Sequence, residues 1–227
     1  MTDEQIEEEL QKMEQDIVIS PEDIIQIEED SEEIDFSNPQ YWDKRYAKTE
    51  DGSFEWYRPW KEFYPEFKEY FNGDEKVLNI GCGNSEMAYD MLGNPFHSVY
   101  NMDISSVVID QMKSKYQDQK ELIWEVMDCT NMTYEDNSFD VVFDKGTLDA
   151  LFCGDMKNVE KTICEVARIL KPNGIYIVIT YGPPNARVPV FQRFKDKIEL
   201  VQQIDFKKRF NCSTHFIYIL KKKNDSD

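Results

Sequence analysis

The feature that most constrains this chain is an apolar strand that runs directly into a Gly-x-Gly turn at residues 76–83. The segment reads Lys-Val-Leu-Asn-Ile-Gly-Cys-Gly, and Asn84, Ser85 and a helix-like stretch follow it. Such a turn lets the backbone pass close to a ligand, because side chains at Gly81 and Gly83 would block the approach. Two glycines alone occur in many tight turns, but here they indicate a site for a nucleotide-type cofactor.

Three further strand-like runs follow this turn, and each ends in an acidic residue: Asp103, Asp128 and Asp144. The carboxyl ends of parallel strands form the ligand-binding edge of an open α/β sheet, and a carboxylate near the second strand hydrogen-bonds ribose hydroxyls in nucleotide-binding folds. A single acid at such a position could simply cap the next helix or turn. Three in succession behind a Gly-x-Gly turn predict that the cofactor site lies at this edge.

The order of strands and helices predicts the fold class. Strands and helices alternate from residue 77 to residue 180, which indicates a parallel sheet with right-handed crossovers. The runs 203–210 and 214–220 are separated by only a short turn, and a short connection requires antiparallel pairing. We therefore predict an α/β fold with a seven-stranded, mostly parallel, Rossmann-like sheet that ends in an antiparallel C-terminal hairpin. This arrangement resembles the class I methyltransferase fold.

Local patterns also predict several helices. Residues 40–48, 61–70 and 156–170 have helical character, and Lys171-Pro-Asn-Gly174 is a turn that would end the last of them before a strand at residues 175–180.

Charge divides the chain into three predicted segments. Residues 1–35 contain fifteen acidic residues and one lysine, so they carry a net charge of −14 out of −19 for the whole chain. A segment with this charge density and no aromatic side chains buries too little apolar surface to order itself. We expect a disordered acidic tail at residues 1–34, a methyltransferase-like domain at residues 35–220 and a polar C-terminal tail at residues 221–227.

Composition makes several classes of protein unlikely candidates. The five cysteines are scattered and form no Cys-x-x-Cys pair, and there are two histidines, so neither a disulfide framework nor a metal site is expected. No apolar run is long enough to span a membrane, and the acidic N-terminus is unlike a signal peptide. These observations predict a cytoplasmic protein without a membrane partner, and we expect a monomer.

The residues around the turn favour one cofactor over another. A dinucleotide fingerprint needs a third glycine where this chain has Glu86, and an acid there would oppose a pyrophosphate. S-adenosyl-L-methionine has no phosphate and carries a sulfonium cation, so acidic surroundings suit it. Asp103 would then hold the ribose and Asp128 the adenine amino group, with the backbone at Ile104 and Cys129 framing the sugar and the ring.

Three motifs resemble one group of enzymes in particular. They are Asn-Ile-Gly-Cys-Gly-Asn-Ser, Asp-Ile-Ser-Ser-Val-Val-Ile and Phe-Asp-Val-Val-Phe-Asp-Lys-Gly-Thr-Leu-Asp-Ala, starting at Asn79, Asp103 and Phe139. Together they resemble the eukaryotic lysine methyltransferases that act on translation elongation factor 1A, which are class I S-adenosylmethionine-dependent methyltransferases. The resemblance extends from Asn38 to Leu220, and the last motif is its most specific part, because generic methyltransferases do not share it.

The resemblance implies roles for individual residues. Trp42, Tyr46 and Trp56 would close over the cofactor, Gly81 would lie beneath its methionine part, and Lys145 would lie near its methionine end. Asp103 with Ile104, and Asp128 with Cys129, match the ribose and adenine pairs. From the residues alone, Trp42 and Tyr46 fit an ordinary buried helix face equally well. Asn79 departs from the pattern, because the relatives carry an apolar residue there.

The sequence predicts the methyl acceptor less directly than the cofactor. After the fourth strand, nucleic-acid amino-methyltransferases carry an Asn- or Asp-Pro-Pro-aromatic loop, whereas this chain has Asp144-Lys-Gly-Thr147. The acidic balance also disfavours a nucleic acid partner. The resemblance implies a protein substrate, elongation factor 1A, methylated on a lysine. A small-molecule methyltransferase and a non-catalytic cofactor-binding interaction protein remain alternatives. No catalytic base is evident, although Asp144 or Asp149 is a candidate for orienting the amine.

Overall fold

A single seven-stranded sheet organises the structure. Its strands in chain order are β1 (Val77–Ile80), β2 (Val99–Asp103), β3 (Leu122–Val126), β4 (Phe139–Lys145), β5 (Leu170–Thr180), β6 (Ile198–Phe206) and β7 (His215–Lys222). They lie side by side in the order β3-β2-β1-β4-β5-β7-β6. β1 to β5 pair in parallel, whereas β7 is antiparallel to both β5 and β6. This arrangement confirms the predicted fold class, including the reversed C-terminal pair.

The computed structural model describes Phe36 and residues 38–48, 53–206 and 215–224. These residues belong to one unit that spans Asp35–Asp227. The predicted acidic tail at residues 1–34 lies outside the described residues.

Seven helices within the described residues accompany the sheet. They are α1 (Pro39–Lys48), α2 (Trp60–Phe63), α3 (Met87–Met91), α4 (Ser106–Lys115), α5 (Thr147–Phe152), α6 (Met156–Ile169) and α7 (Pro184–Gln192). In α4 and α6 the residue before the helix caps it with its side chain: the Ser105 hydroxyl accepts the Val108 N–H at 3.3 Å, and Asp155 accepts the Lys157 N–H at 2.9 Å. These bonds satisfy N–H groups that the first helical turn leaves without an intrahelical partner.

Both faces of the sheet are covered by apolar side chains. Along β4, Val142 belongs to a cluster on one face, while Val141 and Phe143 belong to a cluster on the other. The same division separates Leu78 from Val77 in β1. Central parallel strands are enclosed on both sides, which explains why their sequences are continuous apolar runs rather than alternating ones.

An aromatic cluster attaches the chain before β1 to one face of the sheet. Phe143 is fully buried, and its ring centroid lies 5.3 Å from that of Trp60, 5.9 Å from Phe67 and 5.8 Å from Phe71. The Trp60 indole N–H donates to the Asn94 carbonyl at 3.0 Å, so its one polar group is also satisfied. Because Trp60 is held here, residues 53–59 must cross the carboxyl edge of the sheet.

The continuous helix predicted for residues 61–70 is wrong. The structure has the short helix α2 followed by two 3₁₀ turns, Tyr64–Glu66 and Lys68–Tyr70. Pro65 lies at the start of the first turn, and Phe67 leaves the helical region with φ of −141°. Proline lacks the N–H that an α-helix needs at an interior position, so the helix is interrupted there.

Other elements also differ from the sequence prediction. The strand predicted at residues 203–210 is β6, which begins earlier, at Ile198, and residues 207–210 lie outside the described residues. Helix α7 was not predicted, because Pro184 in its first turn and Pro189 inside it are normally read as helix-breaking signals. β5 begins at Leu170 and includes the predicted turn at residues 171–174 as an irregularity in its pairing with β4. β7 extends to Lys222, two residues into the segment that was predicted as a polar tail.

We expect Phe143→Ala to lower the free energy of unfolding by about 3–5 kcal/mol, because it leaves a cavity beneath several aromatic rings. Val126→Ala is the control, since Val126 is 50% exposed at the edge of the sheet and should cost about 0.5 kcal/mol or less. Urea denaturation measures both values. Equal losses in the two variants would show that the aromatic cluster does not anchor the chain.

Candidate functional site

A cavity of about 400 Å³ lies at the carboxyl edge of the parallel strands. The segments that follow β1, β2, β3, β4 and β5 all contribute to its walls, and α1 and residues 54–57 contribute from the N-terminal side. All nine residues predicted to bind the cofactor line this cavity: Trp42, Tyr46, Trp56, Gly81, Asp103, Ile104, Asp128, Cys129 and Lys145. The structure therefore brings together side chains that are more than 100 positions apart in the chain.

The Gly-x-Gly turn is held in a left-handed conformation. Gly81 and Gly83 have φ of 57° and 52°, values that favour glycine. A Cβ atom on Gly81 would overlap the side chain of Thr147, whose hydroxyl donates to the Ile80 carbonyl at 2.9 Å. A Cβ atom on Gly83 would lie 2.8 Å from the Tyr46 hydroxyl oxygen. The glycines are thus required by the packing of the protein itself, in addition to any approach of a ligand.

Asp103 connects the second strand to this turn. One carboxylate oxygen accepts the Gly83 N–H at 2.9 Å, and the other accepts the Ser105 N–H at 3.0 Å. Burial raises the pKa of Asp103, and the backbone hydrogen bonds oppose that shift. A carboxylate can accept about four hydrogen bonds, so Asp103 retains capacity to accept from a hydroxyl group in the cavity.

The end of β3 and the residue after Asp103 form another wall. Ile104 is 37% exposed at the cavity, and Asp128 is also exposed and accepts the Thr130 N–H at 2.8 Å. Burial raises the pKa of Cys129 to about 12, so its side chain remains a thiol. This wall combines apolar surface with one carboxylate, as recognition of a flat ring with an exocyclic amino group requires.

Helix α1 covers the cavity from the N-terminal side. The ring of Trp42 stacks on that of Tyr46 at 5.9 Å, and burial raises the pKa of the Tyr46 hydroxyl. The helix is attached to α4, because Asp43 accepts the Ser105 hydroxyl at 2.5 Å and Gln111 donates to the Tyr46 carbonyl at 3.0 Å. These contacts place α1 beside the end of β2.

Lys145 forms a largely buried ion pair with a residue that the sequence prediction missed. Its ammonium donates to Glu55 at 2.5 Å and to the Trp56 carbonyl at 3.1 Å, and the two charged side chains are 5% and 25% exposed. Burial lowers the pKa of Lys145, and the nearby Glu55 carboxylate opposes the shift. The other oxygen of Glu55 accepts the Ser85 hydroxyl at 2.7 Å and the Glu86 N–H at 2.6 Å. Glu55 therefore ties residues 53–59 to both β4 and the glycine turn.

The suggestion that Asp144 orients an amine is wrong. Its side chain is fully buried and is not part of the cavity wall. It accepts the N–H groups of Thr147 and Leu148 at 3.0 and 3.2 Å and the Tyr176 hydroxyl at 3.1 Å, and burial raises its pKa to about 7. Asp144 is a cap for α5.

Asp149 does line the cavity, and its carboxylate accepts four hydrogen bonds. The donors are the hydroxyls of Tyr57 and Thr180, the Tyr181 N–H at 3.0 Å and the Arg187 guanidinium at 2.7 Å. Its charge is paired with that of Arg187, and the two side chains are 19% and 11% exposed. The sequence prediction singled out Asp149 but did not identify Tyr57 or Arg187 as its partners.

Two remaining residues named from the sequence occupy different places. Asn79 lines the cavity and donates to the Asn101 side chain at 3.3 Å, so the residue that departs from the relatives' pattern joins β1 to β2. His215 is not part of the cavity wall. The His215 ring packs against two rings that line the cavity. Its centroid lies 4.5 Å from that of Tyr181 and 4.9 Å from that of Tyr57.

Within residues 38–48, 53–206 and 215–224, no cluster of three or more His, Cys, Asp or Glu side chains has a geometry suited to a metal ion. In the same part of the chain, no helix is both long enough and apolar enough to cross a membrane.

Comparison with known sequences shows where the chain is similar to other proteins. Residues 78–178 match a family described as a methyltransferase domain. The chain is 34% identical over 160 residues to "EEF1A lysine methyltransferase 4" of Mus musculus, covering 66% of this chain and 63% of the relative. It is 36% identical over 151 residues to "eEF1A lysine and N-terminal methyltransferase" of Homo sapiens, covering 64% of this chain and 22% of that protein. The matched region thus spans less than two thirds of either relative.

Solved structures show the same fold at low sequence identity. A SAM-dependent methyltransferase from Methanosarcina mazei superimposes with a TM-score of 0.60 at 19% identity, covering 70% of this chain and 98% of that one. The N-methyltransferase NodS from Bradyrhizobium japonicum, in complex with S-adenosyl-l-homocysteine, gives a TM-score of 0.58 at 13% identity, covering 72% of this chain and 85% of that one.

We expect Gly81→Ala to destabilise the protein more than Gly93→Ala. Gly93 also has a positive φ, of 72°, but a Cβ atom there would meet no atom within 4 Å. Gly93→Ala should therefore cost only the left-handed penalty of about 1–2 kcal/mol. Gly81→Ala must also displace Thr147 from the Ile80 carbonyl, adding at least about 1 kcal/mol. Chemical denaturation of both variants tests this, and equal losses would contradict the packing explanation.

Proposed function

We propose that this chain, which has the class I methyltransferase fold and carries a methyltransferase domain, is an S-adenosyl-L-methionine-dependent protein-lysine N-methyltransferase that acts on translation elongation factor 1A. The observation that carries the proposal is the cavity at the sheet edge, which is lined by all nine residues that the resemblance implies for the cofactor. Support for the substrate comes from two relatives, 34% and 36% identical, that are named for methylating elongation factor 1A.

The cavity fits S-adenosylmethionine better than a dinucleotide. A pyrophosphate would need the free N–H groups at the start of the helix after the glycine turn. In this structure the Glu86 N–H at that place donates to the Glu55 carboxylate at 2.6 Å, so a negative charge already occupies it. A cofactor without phosphate and with a cationic sulfonium avoids that repulsion.

Each part of the cavity would hold one part of the cofactor. Asp103 would accept hydrogen bonds from the ribose hydroxyls, with Ile104 against the sugar, and Asp128 would accept the adenine amino group beside Cys129. Trp42, Tyr46 and Trp56 would cover the cofactor and exclude water, while Gly81 and Lys145 would lie at its methionine end. When bound, S-adenosylmethionine supplies a methyl group that a lysine amine takes in exchange for a proton, with S-adenosylhomocysteine left behind.

The surroundings of the acceptor lysine, more than any catalytic base, favour loss of a proton from its amine. An ε-ammonium must lose a proton before it can react, and burial among aromatic rings lowers the pKa of a lysine. The same effect is seen within the protein at Lys145, whose pKa is lowered by burial. Asp144 and Asp149 are fully engaged in hydrogen bonds, so neither acts as a strong base. The proton passes to solvent.

The charge of the chain suits a basic protein partner. Its net charge is −19, of which −14 lies in residues 1–35, and a negative net charge disfavours binding to a phosphate backbone. We include in the proposal that the enzyme is a cytoplasmic monomer that binds no nucleic acid and no membrane. Attraction between opposite charges mainly accelerates encounter, and it weakens as salt is added.

We expect Asp103→Asn to weaken binding of S-adenosylhomocysteine by about ten- to a hundredfold, because hydrogen bonds to a charged group are worth roughly 1.5–3 kcal/mol. Asp110→Asn is the matched control, since Asp110 is exposed on α4 and does not line the cavity. Isothermal titration calorimetry measures both affinities. Unchanged affinity in Asp103→Asn would contradict the assignment of the ribose site.

The methylation reaction tests the proposed function directly. The protein is incubated with labelled S-adenosylmethionine and with elongation factor 1A made in bacteria, and mass spectrometry locates the added methyl groups. We expect methylation of one lysine, at a rate that falls as ionic strength rises. The same reaction is also run in a cell lysate. Label that enters RNA there, or only small molecules, with none on elongation factor 1A, would overturn the substrate assignment.

A further inference from the structure

The part of the cavity wall beyond Lys145 is not used by the proposed cofactor contacts. It is lined by Tyr57, Gly146, Asp149 and Tyr181. Tyr181 is 47% exposed, so this end of the cavity opens to solvent. An acceptor that enters from outside would reach the cofactor from this side.

Tyr57 has an unusual backbone conformation at this position. Its φ is 68°, and within the described part of the chain the other residues with positive φ are glycines and asparagines. A bulky side chain in the left-handed region is strained, and such strain persists only where surrounding contacts enforce it. Here the carbonyl of the preceding Trp56 is held by Lys145, and the Tyr57 hydroxyl is held by Asp149. The contacts therefore place the Tyr57 hydroxyl at the cavity wall against its backbone preference.

The hydrogen bonds around Asp149 define what the Tyr57 hydroxyl offers to a ligand. The hydroxyl donates its only hydrogen to Asp149, and its oxygen lies beside Gly146, 3.1 Å from where a Cβ atom of that residue would be. A tyrosine oxygen that has donated its hydrogen can still accept hydrogen bonds. Burial and the nearby Asp149 carboxylate raise the pKa of Tyr57, so the hydroxyl stays neutral.

A neutral hydrogen-bond acceptor suits the reacting amine better than a carboxylate would. A carboxylate in direct contact would stabilise the ammonium form and so oppose the loss of its proton. Here the charge of Asp149 is paired with Arg187 at 2.7 Å, and Tyr57 stands between Asp149 and the Gly146 side of the cavity. The wall thus presents a hydrogen-bond acceptor that carries no charge of its own.

The rings beside this hydroxyl fit a flexible aliphatic chain. The ring of Tyr57 meets that of Tyr181 edge to face at 4.5 Å, and His215 packs against both. Aromatic faces attract a cationic ammonium as it enters and pack against methylene groups after it loses its proton.

We propose that Tyr57 positions the acceptor lysine, by accepting a hydrogen bond from one N–H of its ε-amine so that the nitrogen lone pair faces the cofactor. This inference rests on the proposed function and adds a residue to its acceptor side. It has a specific chemical consequence. An unmethylated or monomethylated amine has an N–H to donate, whereas a neutral dimethylated amine has none. Tyr57 therefore assists the first two transfers and has no hydrogen bond to accept in a third.

The test compares Tyr57→Phe with the wild-type protein on two acceptors. One is unmethylated elongation factor 1A made in bacteria, and the other is the same protein after reductive dimethylation of its lysines. We expect Tyr57→Phe to slow transfer to the first acceptor by about three- to tenfold, because the lost hydrogen bond joins two neutral groups, and to leave transfer to the second within about twofold of wild type. The affinity for S-adenosylhomocysteine should not change.

The matched control is Tyr134→Phe, which removes a hydroxyl that also donates to a carboxylate, that of Glu125, but lies away from the cavity. It should leave both rates unchanged. Because the two acceptors are compared within one variant, a loss of folded protein affects both equally and cancels in the ratio. An equal loss with both acceptors, or no loss with the unmethylated one, would overturn the role of Tyr57. Failure of the wild-type protein to methylate any lysine would instead overturn the proposed function.

Discussion

The buried ion pair between Lys145 and Glu55 is the interaction on which the site depends. It joins the end of β4 to residues 53–59, and Glu55 also binds the start of the helix after the glycine turn. Taking such a pair out of water is costly, and removing one partner leaves a buried charge uncompensated. The pair therefore contributes little as a source of stability, but it positions Trp56 and Tyr57 over the sheet edge. Without the pair, this contact would no longer hold Trp56 and Tyr57 at the cavity wall.

The positions of the residues proposed to bind the cofactor follow from local patterns. Each strand that ends in an acid places its carboxylate at the same edge, so Asp103 and Asp128 could be assigned to one site from the sequence. Glu55 and Tyr57 could not, because their partners Lys145 and Asp149 are 90 and 92 positions away. No periodicity or spacing relates residues so distant. The acceptor side of the cavity is visible only in the folded chain.

The predictions that were wrong involve side chains whose local signal has two meanings. Pro65 interrupts a predicted helix, whereas Pro184 begins one, and only the packing of each segment distinguishes the two outcomes. An acid at the end of a strand can line the cavity, as Asp103 does, or cap the next helix, as Asp144 does. The glycines of the turn were assigned to ligand approach alone, and the structure adds a second requirement, because Thr147 and Tyr46 occupy the space beside them. In each case tertiary contacts decide.

The most direct measurement of this account is a crystal structure of the protein with S-adenosylhomocysteine. We expect the ribose at Asp103 and Ile104, the adenine at Asp128 beside Cys129, and the sulfur facing the wall that contains Tyr57, with the Lys145–Glu55 pair intact. This result would place the cofactor and acceptor sides of one cavity on either side of the sulfur. A ligand bound outside this cavity, or a sulfur that faces away from Tyr57, would contradict the account.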